Sequence, residues 1–107
     1  MKEEKRKRLE EKGWVVSDTT HFLQLTPEEE LLIALKLALS ESLKNKRVRA
    51  GMTQSNLAEL LGSSQSRVSK AEKGEASVSF ELLLRSLLKL GTTRDELANI
   101  IKNASFA

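Results

Sequence analysis

A chain of 107 residues with 39% apolar side chains suits one compact domain with one core. The apolar share sits a little below the usual range, which leaves room for a loosely packed arm. There is no cysteine, which excludes disulfides, thiolate chemistry and cysteine zinc sites and fits a reducing compartment. The net charge is +3, and its distribution says more than its size.

Residues 1–12 hold six cations and four carboxylates, residues 13–43 one and five, residues 44–73 seven and two, and residues 74–107 four and four. The positive excess therefore lies mainly in one central block, the footprint expected of a phosphate-binding surface. In chain order, residues 2–12 predict a charged, frayed helix with Leu9 as its one apolar anchor. No apolar stretch follows that start, so it does not read as a signal peptide. "GWVV" is the one β-like patch, and "SDTTHFLQL" offers Ser17 or Asp18 as the N-cap of a short helix.

"TPEEE" is a helix start with a mechanism: Thr26 as N-cap, Pro27 at the first position, Glu29 completing a capping box, and acidic residues facing the positive end of the helix dipole. The helix is expected to run to about Arg49, with Gly51 as its left-handed stop. Leu31, Leu32, Leu35, Leu39 and Leu43 fall mostly along one stripe. Its run "LLIALKLAL" is too short to span a bilayer and carries Lys36, so a cytoplasmic protein with no membrane association is expected.

Thr53 caps the next helix, "QSNLAELL", which ends at Gly62. Ser63 or Ser64 caps the one after it, which stops at Gly74 beyond Lys73. The loop "EASVS" leads to "FELLLRSLLKL", stopped by Gly91, and Thr93 with Glu96 forms a second capping box that opens "RDELANIIKN". The predicted core is Leu57, Ala58, Leu61, Val68, Ala71, Phe80, Leu83, Leu84, Leu87, Leu97 and Ile101. Nothing reads as a strand ladder, a repeat or a low-complexity linker. The expected fold is all-α, with an N-terminal extension over residues 1–25 and a five-helix domain over residues 26–107.

The segment from Thr53 to Lys73 carries the function. Its first helix places small Ala58 on the inner face, so that two helix axes can cross closely. A tight turn passes through Gly62, where a positive φ is easiest for glycine. The second helix, "QSRVSKAEK", turns only Val68 and Ala71 inward and leaves hydroxyls, an amide and cations outside. This is the logic of a helix-turn-helix, whose second helix enters the major groove by its N-terminal end.

The run "RVRAGMTQSNLAELLGSSQSRVSKAEKG", Arg47 to Gly74, resembles the Cro/C1-type or Xre-type helix-turn-helix family, and the apolar helices to about Ile101 continue the likeness. The whole chain is similar to small HigA-like antitoxins, which are paired with RelE/HigB-type toxins. The resemblance implies base contacts from Ser64, Gln65, Ser66 and Lys70. Gln65 can pair bidentately with adenine, and Lys70 can donate to guanine O6 and N7. Arg67 suits phosphate or base. Gln54 matches the family's phosphate clamp, at a helix N-terminus whose N–H groups also face phosphate. Lys44, Lys46, Arg49 and Lys73 are further backbone contacts. Arg47 and Glu72 match a pair that forms an internal salt bridge in the family. One departure is the loop "EASVS", which has no cation where many relatives carry Lys or Arg. Ser77 and Ser79 remain as weak donors, so affinity is expected to lean on dimerisation.

The resulting expectation is a sequence-specific double-stranded DNA-binding regulator, a homodimer on a near-palindromic operator. The leading form is an autorepressing antitoxin that neutralises a RelE/HigB-type toxin. The alternatives are a plain Xre or phage-type regulator with no toxin, and a protein-interaction adaptor that uses the fold as a scaffold. Dimer contacts are expected from the last two helices through Leu88, Leu90, Ile100 and Phe106. Trp14, Val15, Val16 and Phe22 either fold back onto the long helix at Leu31 and Leu35 or present an apolar anchor to a partner, and residues 2–12 could order on a toxin. His21 has no ligand cluster around it, and no nucleophile–base set, P-loop or nucleotide fingerprint occurs. Neither an enzyme nor a cofactor is expected.

Overall fold

The structure, a computed structural model, describes residues 25–104. The expectations for Trp14, Val16, Phe22, His21, the charged start and Phe106 lie outside these residues. Five α-helices follow in order: α1 (Pro27–Arg49), α2 (Gln54–Leu61), α3 (Gln65–Lys73), α4 (Phe80–Lys89) and α5 (Arg94–Lys102). The described residues contain no strand.

Side-chain chemistry at the helix ends sets these boundaries. The Thr26 hydroxyl accepts the Glu29 N–H at 3.1 Å, and the Glu29 carboxylate accepts the Thr26 N–H at 2.9 Å. The same reciprocal pair recurs at Thr93 and Glu96. A third box, Thr53 with Asn56, opens α2 with an amide in place of the usual carboxylate. Ser64, rather than Ser63, caps α3 by accepting the Arg67 N–H at 3.2 Å. Each such cap is worth about 1 kcal/mol.

At 23 residues, α1 is about 35 Å long and is the post on which the rest is mounted. It packs against α3, α4 and α5, while α2 packs on α3 and α4. The core lies between them: Leu39, Leu43, Leu57, Ala58, Val68, Ala71, Val78, Leu83 and Leu87. Leu61, Phe80, Leu84 and Leu97 pack half-buried against it, as their spacing predicts.

The last helix corrects the expected core. Ile101 is 48% exposed, and Ile100 takes the inner position instead. The rotation of α5 explains this. Glu96 reaches back to Lys46 on α1, with Nζ 3.4 Å from Oε1. The face of α5 turned to α1 carries residues 96, 97 and 100, with Ile100 four residues from Glu96 and three from Leu97. Residue 101 rolls outward. Of the residues expected at a dimer contact, Leu88 is exposed, whereas Leu90 and Ile100 pack half-buried on the core.

Candidate nucleic-acid interface

The turn between α2 and α3 is built as the spacing predicts. Gly62 is the left-handed C-cap of α2 at φ 65°, and the Ser63 N–H returns to the Ala58 carbonyl at 2.8 Å. Ala58 is buried beneath the crossing. Val68 and Ala71 hold the inner face of α3, and Glu72 is the charged residue that α3 buries.

Glu72 is buried because it is fully engaged. Arg47 Nε donates to its Oε2 at 2.5 Å and Arg47 Nη2 to its Oε1 at 3.1 Å. Arg47 Nη1 also donates to the Met52 carbonyl at 2.8 Å, which ties the end of α1 to the start of α2. The pair is an internal ion pair, joining the C-terminal end of α1 to that of α3.

The network continues outward. The Gln54 amide donates to Glu72 Oε1 at 3.1 Å, and the Gln65 amide donates to Gln54 Oε1 at 3.0 Å. Gln54 thus bridges the buried carboxylate and the first residue of α3. Its amide is engaged on both sides within the protein, a role the sequence does not reveal because the partners lie 18 and 11 residues away. The bridge holds the Gln65 side chain at the solvent face, where among the described residues its Oε1 has no hydrogen-bond partner.

Around Gln65 lie the other exposed groups. Ser66, Arg67, Lys70 and Lys73 are exposed on α3, and among the described residues none of these three cations is in an ion pair. Ser64 is exposed too, but its hydroxyl oxygen already accepts the Arg67 N–H, which leaves its proton and one lone pair. Lys44 and Arg49 are exposed on α1, and among the described residues neither is in an ion pair. Lys46 differs, since it is held by Glu96. Ser77 is exposed at the corner of the 75–78 turn, whereas the Ser79 hydroxyl caps α4. Ser64, Gln65, Ser66 and Lys70 thus come together on one polar face of α3. Arg67 and Lys73 are exposed on the same helix, and the Arg47–Glu72 pair anchors it from within.

Comparison with known proteins agrees with this geometry. The helix-turn-helix family matches residues 43–97, the span from the end of α1 into α5. A protein of Haemophilus influenzae named as an uncharacterized HTH-type transcriptional regulator is 34% identical over 82 residues, 76% of this chain and 84% of that one. No solved structure matches the chain. The ion pair, the glycine turn and the polar second helix all lie within the matched span, and the chain belongs to the Cro/C1-type helix-turn-helix family.

Proposed function

We propose that this chain is a sequence-specific double-stranded DNA-binding transcriptional regulator. The observation that carries the reading is the outer face of α3. A helix of nine residues buries only Val68, Ala71 and Glu72, and it turns an amide, hydroxyls and cations to solvent. Gln65, the first residue of α3, and Lys70, in its last turn, read base edges. Arg67, Lys73, Lys44 and Arg49 contact phosphates, with Ser77 on the adjoining turn. Gln65→Ala with Lys70→Ala is expected to abolish preference for the cognate site while the thermal unfolding curve stays put. Retained preference would mean that residues other than Gln65 and Lys70 read the site, and no preference even in wild type would favour the adaptor reading, in which the fold is only a scaffold.

Two copies would place their α3 helices about 34 Å apart on a near-palindromic operator. Exposed Leu88 and Ile101 on α4 and α5 offer apolar surface for that pairing. The narrower role, an autorepressing antitoxin for a RelE/HigB-type toxin, rests on the likeness of the whole chain to small HigA-like proteins. Residues 1–25 would be its partner-binding extension and residues 26–107 its DNA-binding domain. Co-purification with a small basic RelE-like protein encoded beside it would support that role. A gene standing alone would leave the plain regulator.

A further inference from the structure

The turn after α3 poses a problem for a DNA-binding surface. Residues 75–79 carry no cation, and Glu75 adds a negative charge. The turn is nevertheless held firmly. The Val78 N–H closes it on the Glu75 carbonyl at 3.0 Å, and the Val78 side chain is buried in the core. Ala76 and Ser77 occupy the exposed corner, and neither of their N–H groups donates within the described protein.

A second fastening comes from far away in sequence. Lys36 Nζ, on α1, donates to the Ala76 carbonyl at 3.3 Å and lies 5.5 Å from the centroid of the Phe80 ring. The ring face adds a cation–π attraction. One position further along α1, Leu37 approaches Gly74, where a Cβ would sit 3.1 Å from its Cδ2. The long helix therefore sets the position of the whole 74–80 segment.

We propose that Lys36 is a positioning residue for a DNA phosphate contact made by the backbone N–H of Ser77, which rests on the DNA-binding reading above. The geometry of one peptide unit carries the argument. The 76–77 bond is trans, so the Ala76 C=O and the Ser77 N–H lie in one plane and point in opposite directions. Holding the carbonyl against α1 turns the N–H away from α1, to the exposed side of the turn. A cationic donor on the carbonyl also polarises the unit and strengthens the N–H as a donor. A turn without a side-chain cation thereby offers phosphate an oriented amide backed by a positive charge. Burial lowers the pKa of Lys36, so its ammonium is placed here at a desolvation cost. Lys36 lies outside the span 43–97 that the family matches, so its role belongs to this chain's long first helix.

The test titrates wild type, Lys36→Met and Lys36→Arg against the chain's own upstream duplex and a scrambled duplex over a salt series. The Ser77 amide is followed by NMR, and thermal unfolding checks the fold. Lys36→Met is expected to bind both duplexes about fivefold more weakly, the weight of one hydrogen bond, with the slope of log K on log salt unchanged. Lys36→Arg keeps a cationic donor and is expected to stay within about twofold of wild type. The Ser77 amide proton is expected to move downfield as DNA is added to wild type, and to move less in Lys36→Met. Should Lys36→Met fail to fold, the wild-type amide shift and Lys36→Arg decide. Wild-type affinity in folded Lys36→Met, equal loss in Lys36→Arg, or an unmoved Ser77 amide overturns the proposal. So does a slope reduced by about 0.9, the mark of a direct phosphate contact by Lys36. If wild type binds neither duplex, the DNA-binding reading falls with it; if wild type binds and Lys36→Met binds equally, only the role of Lys36 falls.

Discussion

Arg47 and Glu72 are the residues whose chemistry is least replaceable one at a time. Both side chains are largely out of water, at 12% and 3% exposure, so each relies on the other for its charge. Arg47→Ala leaves the Glu72 carboxylate with Gln54 as its remaining side-chain partner, and it also frees the Met52 carbonyl. A loss of about 3–5 kcal/mol is expected in a urea unfolding curve; a loss below about 1 kcal/mol would mean that water replaces the guanidinium. The two motif glycines separate conformational strain from packing. Gly62 and Gly74 have φ of 65° and 69°, so alanine is strained at both. A Cβ on Gly62 meets nothing within 4 Å, whereas one on Gly74 meets Leu37 at 3.1 Å and Ser40 at 3.2 Å. Leu37 is partly exposed and can yield, but Ser40 is buried and cannot. Gly62→Ala is thus expected to cost about 1–2 kcal/mol, and Gly74→Ala roughly 1–3 kcal/mol more through overpacking. Equal losses on thermal unfolding would contradict the close approach of α3 to α1.

The helix ends were the most legible elements. Thr26–Glu29 and Thr93–Glu96 could be read from sequence because a capping box is a local device, spanning three residues and complete within its own turn. The helix-turn-helix was legible for the same reason: Ala58, Val68 and Ala71 enter one core over short separations, with the turn at Gly62 between them. What the sequence hid depends on rotation and on distant partners. Leu97 is followed by isoleucines at both the third and fourth positions, and local pattern does not choose between them; the Lys46–Glu96 contact, 50 residues apart, does. The internal partners of Gln54 and Lys36 are invisible to local pattern, because Glu72 lies 18 residues from Gln54 on another helix and Ala76 lies 40 residues from Lys36. The Lys46–Glu96 contact also gives α5 a pH response. The Thr93 N–H, and then Lys46, hold the Glu96 carboxyl below its ordinary range. Its folded pKa is lower than its unfolded one. Its stabilisation is therefore present above the ordinary glutamate range and lost as pH falls through the folded value. Glu96→Gln is expected to flatten the acid limb of the stability–pH curve there. An unchanged limb would show that the carboxylate is not held by α1 and its cap in solution.

At the scale of the molecule, one long helix serves as the frame for a small reader. α1 carries Arg47 against Glu72, Lys46 against Glu96 and Lys36 against the turn after α3. The angle of α3 is thus set by contacts made along α1. The basic block of residues 44–73 includes α3 and its exposed cations, so on the proposed reading attraction to phosphate and readout of bases would share one helix. The proposed role requires the outer face of that helix to meet DNA. The measurement that tests it most directly is a titration of the protein with its own upstream duplex and with a scrambled one, at two salt concentrations, with stoichiometry recorded. Tighter binding to the upstream duplex, two chains per site, and log K falling by about 0.9 per phosphate neutralised are the predicted results. Equal binding to both duplexes, or none to either, would contradict it and leave the polar face of α3 to a protein partner.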